Sequence, residues 1–269
     1  MRKYNLKITR LNNNELDLLN INNRPINEIS TINEESTINE NFTINEISID
    51  KLPNYIDLRN KMPPIYEQGS LGSCTANALC ALMEYLDHIK GSRLFLYYNE
   101  RKLENDIPDD SGAELSDGIK CLLTYGICSE SLWIYDINKF NVLPPQECYD
   151  EALKHKALTV KNIPNDINSM KISLYYGFPF VVGISIYESF ESNDVAINGL
   201  VPMPKSNEQL LGGHAILCVG YDDVNKLWIM RNSWGANWSI INKGYFFLPY
   251  EYLLDSSLAS DLWTIFKAT

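Results

Sequence analysis

The texture of the chain changes at Pro179, and that change limits the possible folds more than any other feature. Before it, apolar residues recur at helical spacing. In "CTANALCALMEYLDHIKG", which starts at Cys74, residues Ala78, Leu79, Leu82, Met83, Leu86 and Ile89 share one side of a helix, and Gly91 predicts its end. "ELSDGIKCLLTYG" repeats the pattern and stops at Gly126. After Pro179, "FPFVVGISIYESF", "HAILCVGYDD", "KLWIMRNSWG" and "KGYFFLPY" are dense in Val, Ile, Tyr, Phe and Trp and read as strands. A mainly helical half followed by a mainly strand half predicts an α+β fold with a cleft at the junction.

A chain of 269 residues, 45% of them hydrophobic, is long enough for one large domain or two closely packed halves. The formal charge of -11 and the pI of 4.8 argue against nucleic acid or an anionic membrane as partner, because both attract basic surfaces. No run of apolar residues approaches the length of a membrane span. "MRKYNLKITRLNNNELDLLN" has no apolar h-region, so no classical secretory signal is expected. The expected location is the cytoplasm, a particle, or the exterior by a route that needs no such signal. A set of six reduced cysteines fits that expectation. They lack C-x-x-C pairing with histidines, so neither a zinc site nor another cofactor is expected.

Residues 1 to 50 differ in composition from the globular sequence that begins near "DKLPNYIDLRN" at 50 to 60, which divides the chain into a 1–50 extension and a 51–269 domain. Ile-Asn-Glu recurs at 26, 32, 38 and 44. A period of six does not match a helix, but it keeps Ile26, Ile32, Ile38 and Ile44 on one face of an extended strand. Two readings stand side by side: a low-complexity, Asn-rich extension without fixed structure, and a segment that covers a cleft in the rest of the chain.

"EQGSLGSCTANA", residues 67 to 78, places Cys74 at the first turn of the predicted helix. There the helix dipole and unpaired backbone N–H groups favour thiolate over thiol and predict a pKa below the usual value of about 8.5. Gly69 and Gly72 allow a tight turn, and the Gln68 side-chain amide can join the Cys74 N–H as a pair of donors for an oxyanion. The bland alternative is a small buried cysteine, which needs neither the glycines nor the glutamine.

A nucleophile needs a base. Of the three histidines, His88 lies in the helix tail and His155 in the helical-looking, Lys-rich "EALKHKAL", and both read as surface residues. His214 opens an apolar strand after two glycines. "HAILCVGY" and "KLWIMRNSW" flank the turn-forming "DDVN" and predict a β-hairpin. A turn centred near 223 to 224 places His214 opposite about residue 233, so Asn232 is a near neighbour that can accept an imidazole N–H and fix the ring. Trp234 can cover that contact against water.

Together these residues resemble the papain-like cysteine peptidases. The matching stretches, in the family's order, are "QGSLGSCTA" at 68 to 76, "GGHAILCVGY" at 212 to 221 and "RNSWGANW" at 231 to 238, with "YIDLR" at 55 to 59 and "KGYFFLP" at 243 to 249. "LYYNER", "YGICSESLWIYD" and "ASDLWTI" are similar to the compact bacterial and giant-virus branch to which xylellain belongs. The resemblance implies a two-lobed fold, a helical lobe and a β-rich lobe with the active site between them. It implies Cys74 as nucleophile, His214 as acid and base, Asn232 as orienter and Gln68 as oxyanion donor. It also implies an extended polypeptide substrate that pairs with Gly112 and Ala113 in "DSGAE", with Gly183, Gly213, Ala215 and Trp234 lining the cleft, and no metal.

The chain departs from the family where Leu71 and Thr75 stand in place of a cysteine and an aromatic residue beside the nucleophile. Residues 1 to 50 lack the helical propeptide signature of many relatives. No adjacent pair of histidines of the kind used for dipeptide release is present, and by the resemblance this implies endopeptidase action. The rivals are acyl transfer or isopeptide cleavage on the same constellation, and a catalytically silent peptide-binding module. The extension before residue 51 is a candidate intramolecular partner for the cleft.

Overall fold

The structure is a computed structural model that describes residues 4–7 and 51–268. After strand β1 (Tyr55–Asp57) come helices α1 (Cys74–Asp87), α2 (Arg93–Leu103), α3 (Leu115–Thr124) and α4 (Gln146–Ala152). The second part holds β2 (Ala157–Asn162), α5 (Ile167–Tyr175), β3 (Phe180–Tyr187), α6 (Asn193–Asn198), β4 (Leu210–Asp222), β5 (Leu227–Arg231), β6 (Tyr245–Pro249), α7 (Tyr250–Leu254) and β7 (Ala259–Ala268). The strands form one sheet in the order β2-β7-β3-β4-β5-β6, and β1 pairs with the end of β4. Every pairing is antiparallel.

The arrangement follows from where the apolar residues fall. β3 is buried over its first five residues, as a central strand covered on both faces must be. α1 is buried from Cys74 through Met83 and packs against β4, so the first turn of the helix and the histidine strand meet at the junction of the two halves. The large side chains Trp228, Trp263, Phe180 and Tyr221 are fully buried in the core. Each such side chain contributes about 1.5–3 kcal/mol relative to exposure, which makes the sheet a rigid base for the residues on it.

Several local expectations are corrected. α1 ends at Asp87 rather than near Gly91, because His88 takes a left-handed conformation (φ 58°) and its N–H closes on Glu84 O. β2 lies before Pro179, where no strand was expected. "EALKHKAL" is not helical throughout: α4 ends at Ala152, and β2 begins at Ala157. The β4–β5 hairpin forms, with pairing from Asp222↔Leu227 to Leu217↔Arg231 and a one-residue shift between Cys218 and Gly220. The connection lies one residue later than expected, and the bulge takes back part of that offset, so the line of pairing runs from His214 toward Trp234 rather than residue 233. The Ile-Asn-Glu repeats at 26 to 49 lie outside the described residues. Among the described residues, no helix is long and apolar enough to cross a membrane.

Candidate active site

Cys74 is the first residue of α1, and Ser73 before it is held on both sides: its Oγ bonds Tyr135 Oη at 2.6 Å, and its carbonyl accepts from Asn77 Nδ2 at 2.9 Å. The incoming loop is pinned as well. Gly72 N–H donates to Asp110 Oδ1 (2.9 Å), Tyr135 Oη donates to Gln68 O (3.0 Å), and Gln68 N–H donates to Ser233 O (2.9 Å). The Gln68 amide is clamped at both ends, with Nε2 donating to Leu71 O at 3.0 Å and Oε1 accepting from Ser233 Oγ at 2.6 Å. A second Nε2 hydrogen is left over by this arrangement.

His214 is fully buried on β4 and its Nε2 lies 2.8 Å from Asn232 Oδ1. A carbonyl oxygen only accepts, so Nε2 carries the hydrogen and Nδ1 is the nitrogen with the lone pair. Asn232 Oδ1 also accepts from the Ser233 N–H (2.8 Å), which fixes the amide. The Trp234 indole stacks on the imidazole, with centroids 4.8 Å apart at 26°, and Trp234 in turn packs on Phe190 and Trp238. The backbone N–H of Ala215, the residue after His214, lies close enough to the Cys74 thiol to favour its ionised form. The four residues singled out for chemistry thus lie along the junction of α1 and β4.

The thiol departs from expectation. Burial pushes Cys74 up to about 12, and the nearby Glu100 carboxylate adds to the rise; the amides of Ala215, Thr75 and Cys74 itself pull the other way without prevailing. The amides at the helix start act in the predicted direction, but in a covered site desolvation outweighs them. Glu100 was not singled out from the sequence. It is fully buried on α2, accepts from Thr75 Oγ1 at 2.7 Å and leaves Oε1 without a partner, and burial pushes its carboxyl up to about 8.

Arg93 was also missed. Its guanidinium pairs with Glu130 (2.8 and 3.0 Å), donates to Glu67 O and Asn77 Oδ1 (both 3.2 Å) and lies 3.9 Å from the Tyr135 ring centroid. One buried cation therefore ties the loop before Cys74 to the helix after it. No local sequence pattern marks Arg93, and Glu100 stands within "LYYNER" without any sign of its burial.

The cover is residues 4–7 of the same chain. Leu6 N–H donates to Gly213 O at 3.2 Å and Lys7 N–H to Ala113 O at 3.1 Å, while Asn5 Nδ2 reaches Asp110 O at 2.8 Å. Gly112 has φ +78°, and a Cβ there would lie 1.5 Å from Asn5 O, so only glycine admits the peptide. Leu6 fills the space over Gly213 and Gly183; Gly183 is the cross-strand partner of Ala215. Tyr4 meets His214 and Trp234 edge-on, at 6.5 and 6.0 Å between centroids. Lys7 bonds Glu104 and Asp106. Of the six sequence-assigned cleft residues, Gly112, Ala113, Gly183, Gly213 and Trp234 meet the peptide, and Ala215 lies beside them as the buried cross-strand partner of Gly183.

All six cysteines are free and buried. Among the described residues, no group of three or more His, Cys, Asp or Glu side chains is arranged to hold a metal ion.

Comparison with known proteins agrees with this geometry. The model of the papain family cysteine protease matches residues 52–253. An uncharacterized peptidase C1-like protein of Acanthamoeba polyphaga mimivirus is 46% identical over 218 residues, spanning 76% of this chain and 70% of that protein. A probable cysteine protease of Arabidopsis thaliana is 28% identical, and the match spans 43% of its length. Among solved structures, xylellain, a cysteine protease from Xylella fastidiosa, superposes with a TM-score of 0.74 at 39% identity, covering 80% of this chain and 87% of that one. Digestive procathepsin L 3 of Tenebrio molitor shares the fold, with a TM-score of 0.60 at 20% identity. With a cysteine-led helix packed on a histidine strand and the family model matched across both, the chain belongs to the papain family of cysteine proteases, in its compact branch.

Proposed function

We propose that this protein is a cysteine endopeptidase whose cleft is restrained by its own N-terminal segment. The observation that carries the reading is the extended peptide 4–7, hydrogen-bonded by its backbone to Gly213 and Ala113 beside Cys74, His214 and Asn232. A groove that holds main chain in this way selects extended polypeptide.

In the mechanism we infer, the Cys74 thiol gives its proton to His214 Nδ1 and the thiolate attacks a substrate carbonyl. The negative charge that develops on the carbonyl oxygen is met by the Cys74 N–H and the spare Gln68 Nε2 hydrogen, an amide already oriented by Ser233. The carbon–nitrogen bond breaks as imidazolium returns the proton to the leaving amine, and a thioester remains on Cys74. Water, deprotonated by His214, then releases the acid and the thiol. Asn232 keeps Nε2–H occupied, so that Nδ1 is the nitrogen that works.

The same chemistry gives the cleft a direction. His214 protonates the leaving amine, so the C-terminal part of a substrate lies beside His214 and Trp234. Residues 4–7 run the opposite way, with Tyr4 at those rings and Lys7 at the far end. A reversed strand fills the subsites without presenting its carbonyl in the productive sense, which supports restraint without self-cleavage.

The test is a defined peptide digested by the full chain and by its Cys74→Ala variant, with products identified by mass. Two free peptides from the parent and none from the variant support the reading. A joined product would indicate acyl transfer, and absence of turnover in a chain whose cleft has been opened at Leu6 would refute peptidase action.

A further inference from the structure

The peptide in the cleft has two side-chain anchors, one apolar and one charged. Leu6 lies over Gly183 and Gly213. Lys7, the next residue, places its ammonium between Glu104 Oε2 and Asp106 Oδ2, 3.1 Å from the latter. Burial works against the charged form of Lys7, but the bonds to Glu104 and Asp106 outweigh it and hold its pKa above the usual lysine value. Burial pushes the Glu104 carboxyl up, and the bonds from Lys7 and from the Glu114 amide pull it partway back.

The two carboxylates belong to the body of the protein, not to the segment. Glu104 caps α2, its side chain is 10% exposed, and its Oε1 is occupied by the Glu114 N–H at 2.9 Å, which leaves Oε2 facing the groove. Asp106 follows in a turn closed by its N–H on Arg101 O at 2.8 Å. The nearby Arg101 guanidinium is directed at the carbonyls of Ile107, Asp109 and Phe140. Among the described residues, Lys7 provides the ion pairs of both Glu104 and Asp106. When the segment leaves, two fixed carboxylates face the groove without that cation.

We propose that Glu104 and Asp106 form a subsite for a lysine or arginine side chain, so that the enzyme favours substrates in which a basic residue directly precedes a bulky apolar one. This rests on reading the cleft as a peptide-cleaving site, and the order of subsites sets the position. Counting away from Cys74, Asn5 lies over Gly72 and Gly112, Leu6 over Gly183, and Lys7 at the carboxylates. A substrate crossing the same positions in the productive direction presents, from its N-terminus, a basic residue, an apolar residue and then the residue whose carbonyl is attacked. Charge-assisted bonds to two carboxylates in a partly buried site give discrimination on the order of tenfold against a neutral residue.

The test uses the full chain carrying Leu6→Asp to open the cleft. Peptides differing only in Lys, Ala or Glu before a leucine are compared by kcat/KM, and the same peptides, fluorescently labelled, are bound to the chain that also carries Cys74→Ala. We expect Lys over Ala by about tenfold in both measurements, Glu weakest, and collapse of the Lys preference in Glu104→Gln/Asp106→Asn. Asp106→Asn alone, at a more exposed position, gives a partial loss and guards against misfolding of the double variant. Equal binding of the Lys, Ala and Glu peptides overturns the subsite even if all are cleaved. Selective binding without any cleavage keeps the subsite and removes the peptidase reading.

Discussion

Leu6 Cδ2 lies 2.7 Å from the point where a Cβ on Gly183 would sit. The pocket that Leu6 enters is therefore open because residue 183 has no side chain, and the backbone oxygen of Ser260, 3.3 Å from the same point, limits any retreat. Gly183→Ala should narrow the pocket without backbone strain. Overpacking of this kind costs about 1–3 kcal/mol, so the preference for leucine over alanine in the second residue before the scissile bond should fall by roughly tenfold. Paired kcat/KM measurements check this, and an unchanged ratio would show that the pocket lies elsewhere.

Leu6→Asp should release the cleft. A carboxylate in the space over Gly183 and Gly213, where Leu6 packs on glycine backbone, loses part of its hydration, and burial of a charge costs several kcal/mol. The full chain with this substitution should cleave peptides at least tenfold faster than the parent at equal concentration. Equal rates would separate the N-terminal segment from regulation.

Asn232→Ala should reduce kcat with little change in KM. The hydrogen bond from His214 Nε2 to Asn232 Oδ1 holds the ring while charge develops on it. Loss of such a charge-assisted bond is worth roughly tenfold to hundredfold. Steady-state kinetics in a Leu6→Asp background read the effect directly, and a change confined to KM would assign Asn232 to binding instead.

Glu100 predicts a pH dependence of stability. Its folded pKa, about 8, lies above the ordinary glutamate value of 4.5 because the carboxyl is fully buried. Between these two values the folded state holds a proton that the unfolded state has lost, so stability is fully present at low pH and falls as pH rises through the folded value. The penalty is on the order of a few kcal/mol. Thermal unfolding from pH 5 to 9 should show a steeper loss for the parent than for Glu100→Gln, whose amide still accepts from Thr75. Parallel curves would mean that Glu100 is ionised throughout.

Much of the candidate site was legible because the residues it gathers stand in short local patterns. Cys74 at a helix start, His214 after two glycines and Asn232 just past the neighbouring strand each carry a signature within a few residues, and the structure gathers all three with Gln68. What escaped depends on distant contacts. Ser233 fixes Gln68 across 165 residues and Lys7 meets Glu104 across 97, and no periodicity records either. The hairpin register was off by about one residue, because the turn lies one residue later than "DDVN" suggests and the irregularity between Cys218 and Gly220 takes back only part of that offset. The helix end at His88 escaped because a left-handed histidine replaced the glycine that usually marks such a stop. The thiol escaped for a different reason: the helix start was read correctly, but the burial that desolvates it depends on tertiary packing that no local pattern records.

The central claim is most directly tested by acid-quenched mass spectrometry of the full-length Leu6→Asp chain mixed with a peptide carrying Lys-Leu before the scissile residue. The account predicts a transient adduct of the N-terminal product on the peptide that contains Cys74, followed by two free products, and neither in His214→Ala. Turnover without any adduct on Cys74, or at an undiminished rate in His214→Ala, would contradict it.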